Sequence, residues 1–87
     1  MTYTVIVEAS VRKSLRRLPE QVRDRLNSRI LALADDPRPS GCLKMEGKDN
    51  EWRIRVGDYR IIYSIQDMLL LVRVLEAGPR RDIYKRR

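Results

Sequence analysis

The residues with the most evident chemistry lie in one stretch, Glu51-Trp52-Arg53-Ile54-Arg55-Val56-Gly57-Asp58-Tyr59-Arg60-Ile61-Ile62-Tyr63. Trp52, Ile54 and Val56 alternate with Arg53 and Arg55, so an extended strand puts the apolar trio on one face and the arginines on the other. Gly57-Asp58 reads as a two-residue hairpin loop with glycine first, the preference of a type II′ turn. That loop sets Val56 opposite Tyr59 and Arg55 opposite Arg60. Opposed side chains share a face, with their Cβ atoms about 5 Å apart, and like charges directly opposed are destabilising. With Arg53 two residues further along, three guanidiniums converge on one solvent face. Arginine stays protonated and grips phosphate through a planar fork, so the cluster is an anion site. The alternative is a solvated face, whose arginines spread into water or pair with Glu46 or Glu76.

The composition of the whole chain points the same way. Eighty-seven residues carry 19 cations against 12 anions, a net charge of +7, and 15 of the cations are arginine. Self-repulsion of that size destabilises a compact chain, so it usually faces an anionic partner, and nucleic acid leads. A genome rich in G and C also raises arginine over lysine, but does not account for the net charge. There is no histidine and one cysteine, Cys42. An internal disulfide is therefore excluded, and a zinc site or a Cys–His nucleophile is not expected. Neither metal nor cofactor is called for. A lone thiol fits a reducing, cytoplasmic setting. The longest apolar run, Met68 to Val72, is far short of a membrane span. The first residues lack the basic-then-apolar layout of a secretory signal.

The elements that must position the arginines follow from periodicity. The length suits one domain, residues 1–87, with one small core. Tyr3 to Glu8 reads as a strand. Ser10 is a candidate N-cap for a helix over Val11 to Leu18, with Val11, Leu15 and Leu18 on one face. Pro19 fits the first turn of a second helix, in which Val22, Leu26, Ile30 and Leu33 recur at helical spacing until Asp35-Asp36-Pro37 stops it. The two helices have almost no linker and should form an αα-hairpin. After a loop with a possible short strand at Leu43 to Glu46 come three strands, Glu51 to Val56, Tyr59 to Ile65 and Met68 to Glu76, with Gly78-Pro79 ending the last. The expected fold is α+β: an N-terminal strand, the αα-hairpin, then an antiparallel sheet of three to four strands with both helices on one face. The expected core contains Leu15, Leu18, Leu26, Ile30, Ile54, Val72 and Val74, with Trp52 at least partly buried. Arg73 reads as a core-edge residue. The basic tail adds Arg80, Arg81 and Tyr84. A tyrosine there can stack on a base, hydrogen-bond a phosphate or transfer a proton, or it can simply anchor the terminus.

Taken in order, these pieces resemble the RelE/ParE superfamily of type II toxins, and the RelE branch in particular. The carriers are Tyr3-Thr4-Val5 before an αα-hairpin with a basic first helix, Pro37 closing the second helix, and the Leu43…Gly47 loop. Most specific is Trp52-Arg53-Ile54-Arg55…Tyr59-Arg60-Ile61-Ile62-Tyr63, similar to the family's aromatic-basic-x-basic…Tyr-Arg-x-x-Tyr signature. Gly78-Pro79-Arg80-Arg81-Asp82-Ile83-Tyr84 is similar to its closing Gly-x-Arg…Tyr. The resemblance spans nearly all of the chain. It implies a cytoplasmic endoribonuclease that cleaves mRNA in the A site of the ribosomal 30S subunit. It also implies a monomeric toxin held in a hetero-oligomer by a small RelB-like antitoxin. Carried over, the catalytic positions are Arg53, Arg55, Arg60, Arg80 and Tyr84; apart from the resemblance, the cations Arg81, Lys48 and Lys85 are expected as further nucleic-acid contacts. The family often has lysine at the first two positions. Lysine can be desolvated into a neutral base and arginine cannot, which leaves the general base open here. Two other functions are weighed: a ParE-like toxin that poisons DNA gyrase, a branch that by resemblance lacks this basic-plus-tyrosine set, and a nucleic-acid-binding module that needs the same charges but cuts nothing.

Overall fold

A computed structural model describes residues 2–79; Arg80, Arg81, Tyr84 and Lys85 of the expected site lie outside the described residues. The described part runs β1 (Thr4–Val7), α1 (Ala9–Arg16), α2 (Glu20–Ala32), β2 (Leu43–Lys44), β3 (Glu51–Val56), β4 (Tyr59–Gln66), a 3₁₀ turn (Asp67–Leu69) and β5 (Leu71–Pro79). The five strands form one sheet in the order β1-β5-β4-β3-β2. No described helix is long and apolar enough to cross a membrane.

The fold is α+β as expected, with one more feature in the sheet. β1 joins the antiparallel strands as a parallel edge beside β5, pairing Val5 with Val72 and Val7 with Val74. The αα-hairpin makes this geometry possible, because two helices between β1 and the rest supply the crossover that parallel pairing requires. Val11, Leu15, Leu26, Ile30 and Leu33 from the helices bury against Ile54, Val56, Ile61, Tyr63, Ile65, Val72, Val74 and Ala77 from the sheet. Leu18 and Trp52 pack on the rim of this core. Each residue expected in the core is in it or against it.

Boundaries moved where backbone geometry overrides side-chain signals. α1 begins at Ala9 and is capped by Glu8, not Ser10. The Glu8 carbonyl accepts from the N–H groups of both Val11 and Arg12, so the chain turns directly out of β1 into the helix. Pro19 occupies the cap position of α2, one residue ahead of the first turn. The strand expected from Met68 begins only at Leu71. Asp67–Leu69 coil into the 3₁₀ turn, and Leu70 leaves it in the left-handed region at φ 50°. β5 then runs on through Gly78 and Pro79. Pro79 lies opposite Tyr59 beyond the end of β1, and hairpin parity directs its missing N–H to that open side.

A bulge shapes the rest of β5. Ile62 pairs with Glu76 but Tyr63 pairs with Val74, leaving Leu75 as the extra residue. Because of it, Val74 and Ala77 both face the helices, while Glu76 and Gly78 turn to the opposite face. Simple alternation from Val72 would have sent Glu76 into the core.

Candidate nucleic-acid interface

Hairpin register builds the site. Arg55 pairs with Arg60, Val56 with Tyr59 and Arg53 with Ile62. Gly57 has φ 63° and Asp58 does not have positive φ, as a type II′ loop requires. In a two-residue hairpin the residues flanking the loop exchange hydrogen bonds. Arg55 and Arg60 therefore form the next, non-hydrogen-bonded pair, in which side chains stand closest. Arg53, Arg55 and Arg60 share the face away from the helices.

The three arginines differ in exposure. Arg55 is exposed and Arg53 half-buried. Arg60 is only 2% exposed, and Ile62 beside it on the same face is equally buried. The expected solvent face is thus corrected: its open part is Arg53 and Arg55, and Arg60 beside Arg55 is buried. The register also sets Glu76 one rung from Arg60 on this face. Neither Arg53 nor Arg55 makes an ion pair with another described residue.

The remaining expected residues scatter. Lys48 is exposed in the β2–β3 loop, at the end of β3 away from the hairpin, and is not gathered with Arg55. Arg73 lies on the arginine face opposite Ser64 and reaches Glu8 at 3.5 Å, an edge ion pair.

Sequence reasoning missed the contribution of α2. Arg25, Ser28 and Arg29 line a cleft of about 260 Å³ with Arg55, Val56 and Gly57. The Arg25 guanidinium comes so near the turn that a Cβ on Gly57 would stand 3.0 Å from its Nη2. Positive φ calls for glycine at that position, whereas the flexible, exposed end of the Arg25 side chain would yield to a Cβ. The signal was present as Arg25-x-x-x-Arg29 at one-turn spacing, but nothing in the sequence says which strand that helix face overlies.

A second cluster closes the far end of the sheet. Arg38 donates to both carboxylate oxygens of Asp67, at 3.1 and 2.8 Å. Tyr3 donates its hydroxyl to the same carboxylate at 2.6 Å. Arg38 also lies over the Trp52 ring, 5.0 Å from its centroid. The Arg38 and Tyr3 hydrogen bonds hold the Asp67 carboxyl down to about 2. The same carboxylate raises both the Tyr3 phenol and the Arg38 guanidinium. Beneath the cluster, Tyr63 is buried and donates to the Pro37 carbonyl at 2.7 Å. Burial pushes its phenol up, helped by Cys42. Tyr63 thus anchors the loop after α2. Among the described residues, no group of histidine, cysteine and carboxylate side chains is arranged to hold a metal ion.

The family model for the ParE toxin of type II toxin–antitoxin systems matches residues 5–84. The chain belongs to the RelE/ParE toxin superfamily. This toxin superposes on a chain of the archaeal RelE–RelB complex of Pyrococcus horikoshii with a TM-score of 0.81 and 33% identity, over 92% of this chain and 97% of that one. A double-arginine mutant of Escherichia coli RelE in the free state shares the fold, with a TM-score of 0.80 and 24% identity over 98% and 93% of the two chains. So does a toxin–antitoxin complex from Mycobacterium tuberculosis, at 0.81 and 23% over 92% and 93%. No curated protein sequence is similar enough to count as a match. The chain is thus the toxin of a toxin–antitoxin system, built on the RelE fold.

Proposed function

We propose that this toxin is an endoribonuclease of the RelE kind, cutting mRNA in the ribosomal A site. The observation that carries the reading is the placement of Arg53 and Arg55 side by side on an open sheet face, without a described carboxylate partner and with Arg60 across from Arg55. RNA supplies its own nucleophile. The 2′-oxygen forms a bond to the adjacent phosphorus, the bond from phosphorus to the 5′-oxygen breaks, and the 2′-hydroxyl proton ends on the leaving 5′-oxygen. The products are a 2′,3′-cyclic phosphate and a 5′-hydroxyl.

In this reaction the crowded, doubly charged phosphorane needs fixed positive charge more than it needs a strong base. Arg55 grips the scissile phosphate and Arg60 supports it from below, favouring the transition state over the ground state. Arg53 holds a neighbouring phosphate. Tyr84 stacks on a base, and Arg80 neutralises the leaving oxygen. Such a clamp works slowly on free RNA, because no described side chain is an evident general base. Alignment of the substrate by the ribosome supplies what is missing, worth up to about 7–11 kcal/mol where geometry is the main deficit.

The partner that silences the toxin is a small acidic antitoxin of the RelB kind, since the archaeal and E. coli relatives are found in RelE–RelB complexes. Charge complementarity with a +7 chain makes that encounter fast and sensitive to salt. Expression of the folded toxin alone arrests growth, and co-expression with the antitoxin restores it.

A second reading is a gyrase poison of the ParE kind, favoured by the ParE description of the matching family model. Adding the purified chain to translating ribosomes and mapping mRNA 5′ ends separates the two. Cuts at codon positions support the ribonuclease. Intact mRNA together with stalled gyrase–DNA complexes refutes it in favour of the gyrase poison.

A further inference from the structure

We propose that the cleft between α2 and the β3–β4 hairpin is a second phosphate site. It would bind the sugar–phosphate backbone of single-stranded RNA around the edge of the sheet from the Arg53–Arg55 face. The inference extends the ribonuclease reading to a further RNA contact and rests on it for the identity of the polyanion.

Three observations carry it. First, one cleft wall carries Arg25 and Arg29 of α2, with Ser28 between them in sequence, and the other is made by Arg55, Val56 and Gly57 of the hairpin. None of these arginines makes an ion pair or hydrogen bond with another described side chain. Two like charges one helical turn apart, with no counter-charge among the lining residues, raise the energy of the free protein, and an anion in the cleft relieves it. Second, the backbone adds a donor. β2 pairs with β3 only at Trp52 and Arg53, so the outer edge of β3 is open from Ile54 onward. Hairpin parity points the N–H of Val56 toward β4 and that of Arg55 outward to this open edge. Guanidinium forks, a hydroxyl and a backbone N–H together make up the donor set that sugar–phosphate contacts use.

Third, Arg55 belongs to both places: its side chain lies on the arginine face while its residue lines the cleft. A strand of RNA that rests one phosphate on the face can turn the sheet edge and set another against α2. The cleft also offers little hold to the rival occupant, an acidic polypeptide. At about 260 Å³ it has room for a phosphate with its ribose. The only apolar side chain in its lining is Val56, which is already 5% exposed and buried in the core, so a peptide finds no anchor pocket there.

The test uses the full chain and a 2′-O-methyl RNA oligonucleotide, which binds but cannot be cut. Arg25 and Ser28 are exposed and Arg29 half-buried, so the double variant Arg25→Gln/Arg29→Gln should fold. Its affinity should fall about tenfold or more, and the slope of log K against log salt should become shallower by about 0.7–1.4, one to two released counterions. Arg25→Lys/Arg29→Lys keeps the charge and loses the fork; it should keep the parent slope and lose part of the affinity. A measurement on the parent chain needs no variant at all: bound oligonucleotide should protect Arg25 and Arg29 from phenylglyoxal, read by peptide mass mapping.

Parent-like affinity and slope in the Gln variant, or no protection at either arginine, overturns the site. Unchanged RNA binding with lost binding to a poly-glutamate peptide overturns it in favour of an acidic polypeptide. Because the probe is uncleavable, the result is independent of catalysis. A toxin that fails to cut mRNA on ribosomes would sink the ribonuclease reading and leave this site standing, whereas a cutting toxin with an indifferent cleft would do the reverse.

Discussion

At the Asp67 end of the sheet, Arg38 is held by two hydrogen bonds to one carboxylate and stacks on Trp52, while Tyr3 completes the carboxylate's shell. At the hairpin end, Arg25, Arg29 and Arg55 meet around one cleft with no described carboxylate among the lining residues. Both ends lie on the same small sheet and use the same side chain. In the first, charge is cancelled locally and the product is closure: Arg38 ties the loop after α2 to the turn before β5. In the second, charge is left uncancelled and the product is a field directed at solvent. Cancelled charge does little for function and uncancelled charge does nothing for folding, so substitutions at the two ends should separate cleanly into stability and activity.

The largest expected effect is on activity at the hairpin end. Arg55→Ala should lower single-turnover mRNA cleavage on programmed ribosomes by about 10²–10³-fold, the usual loss for one transition-state donor. Its stability should stay within about 0.5 kcal/mol of the parent, because Arg55 is exposed and pairs with nothing described. Arg60→Ala behaves differently. Arg60 is buried, so truncation removes packing and should cost roughly 1–3 kcal/mol as well as activity. Arg55, not Arg60, is therefore the residue that separates the two effects. Parent-rate cleavage by Arg55→Ala would break the comparison, since the uncancelled charge would then serve docking alone.

Much of this was legible in the sequence, and the boundary has a physical cause. The β3–β4 register followed from Gly57-Asp58 because a two-residue loop admits one pairing, and every opposed pair in that hairpin came with it. The core faces of α1 and α2 followed from period. Long-range placement did not. Nothing local to Tyr3 or Val5 tells the chain to lie parallel to β5; that choice is made by the helices that carry it over. The Leu75 bulge leaves no mark in the alternation of Val72 and Val74, so Glu76 was legible as a possible partner of the arginines but not the bulge that turns it to their face. Burial of Arg60 was hidden too, since pairing gives a face but not what covers it. For the same reason nothing in the sequence singled out Arg25 and Arg29.

A middle-sized effect belongs to the closed end. Tyr63→Phe keeps the buried ring and removes the donor to the Pro37 carbonyl. Pro37 is itself buried, so its oxygen loses a partner away from water. Such a loss typically costs about 1–3 kcal/mol. For a chain of this size each kcal/mol moves the melting temperature by roughly 4–8 °C, so a thermal melt resolves it easily. Cleavage at permissive temperature should match the parent. An unchanged melting temperature would show that the loop is held by packing of the ring and not by this hydrogen bond. A large loss of cleavage in a stable Tyr63→Phe protein would show that the closed end reaches the site after all.

The smallest effect is a pH dependence confined to the closed end, and its sign is fixed by Asp67. The folded chain holds this carboxyl down to about 2, chiefly through the Arg38 hydrogen bond and then that of Tyr3, whereas an unfolded chain releases it to the ordinary carboxylate range near 4. A group whose pKa is depressed on folding stabilises the protein only while it is ionised. Its contribution should be complete above the ordinary range and decline as pH falls from there toward about 2, where the folded carboxyl also takes up a proton. Exposure of both partners, 40% and 53% for the Arg38 and Asp67 side chains, keeps the effect modest and screened by salt. Melting the parent and Asp67→Asn side by side tests it. The gap between them should be constant from pH 5 to 8 and should close as pH is lowered toward 2. Arg55→Ala, measured in the same series, should track the parent throughout, because no carboxylate at the hairpin end is tied to it. A gap that stays open at low pH would mean that the Asn variant disturbs the turn itself. A pH-dependent gap at Arg55→Ala would mean that the hairpin end has a counter-charge after all, and the contrast between the two ends would fail.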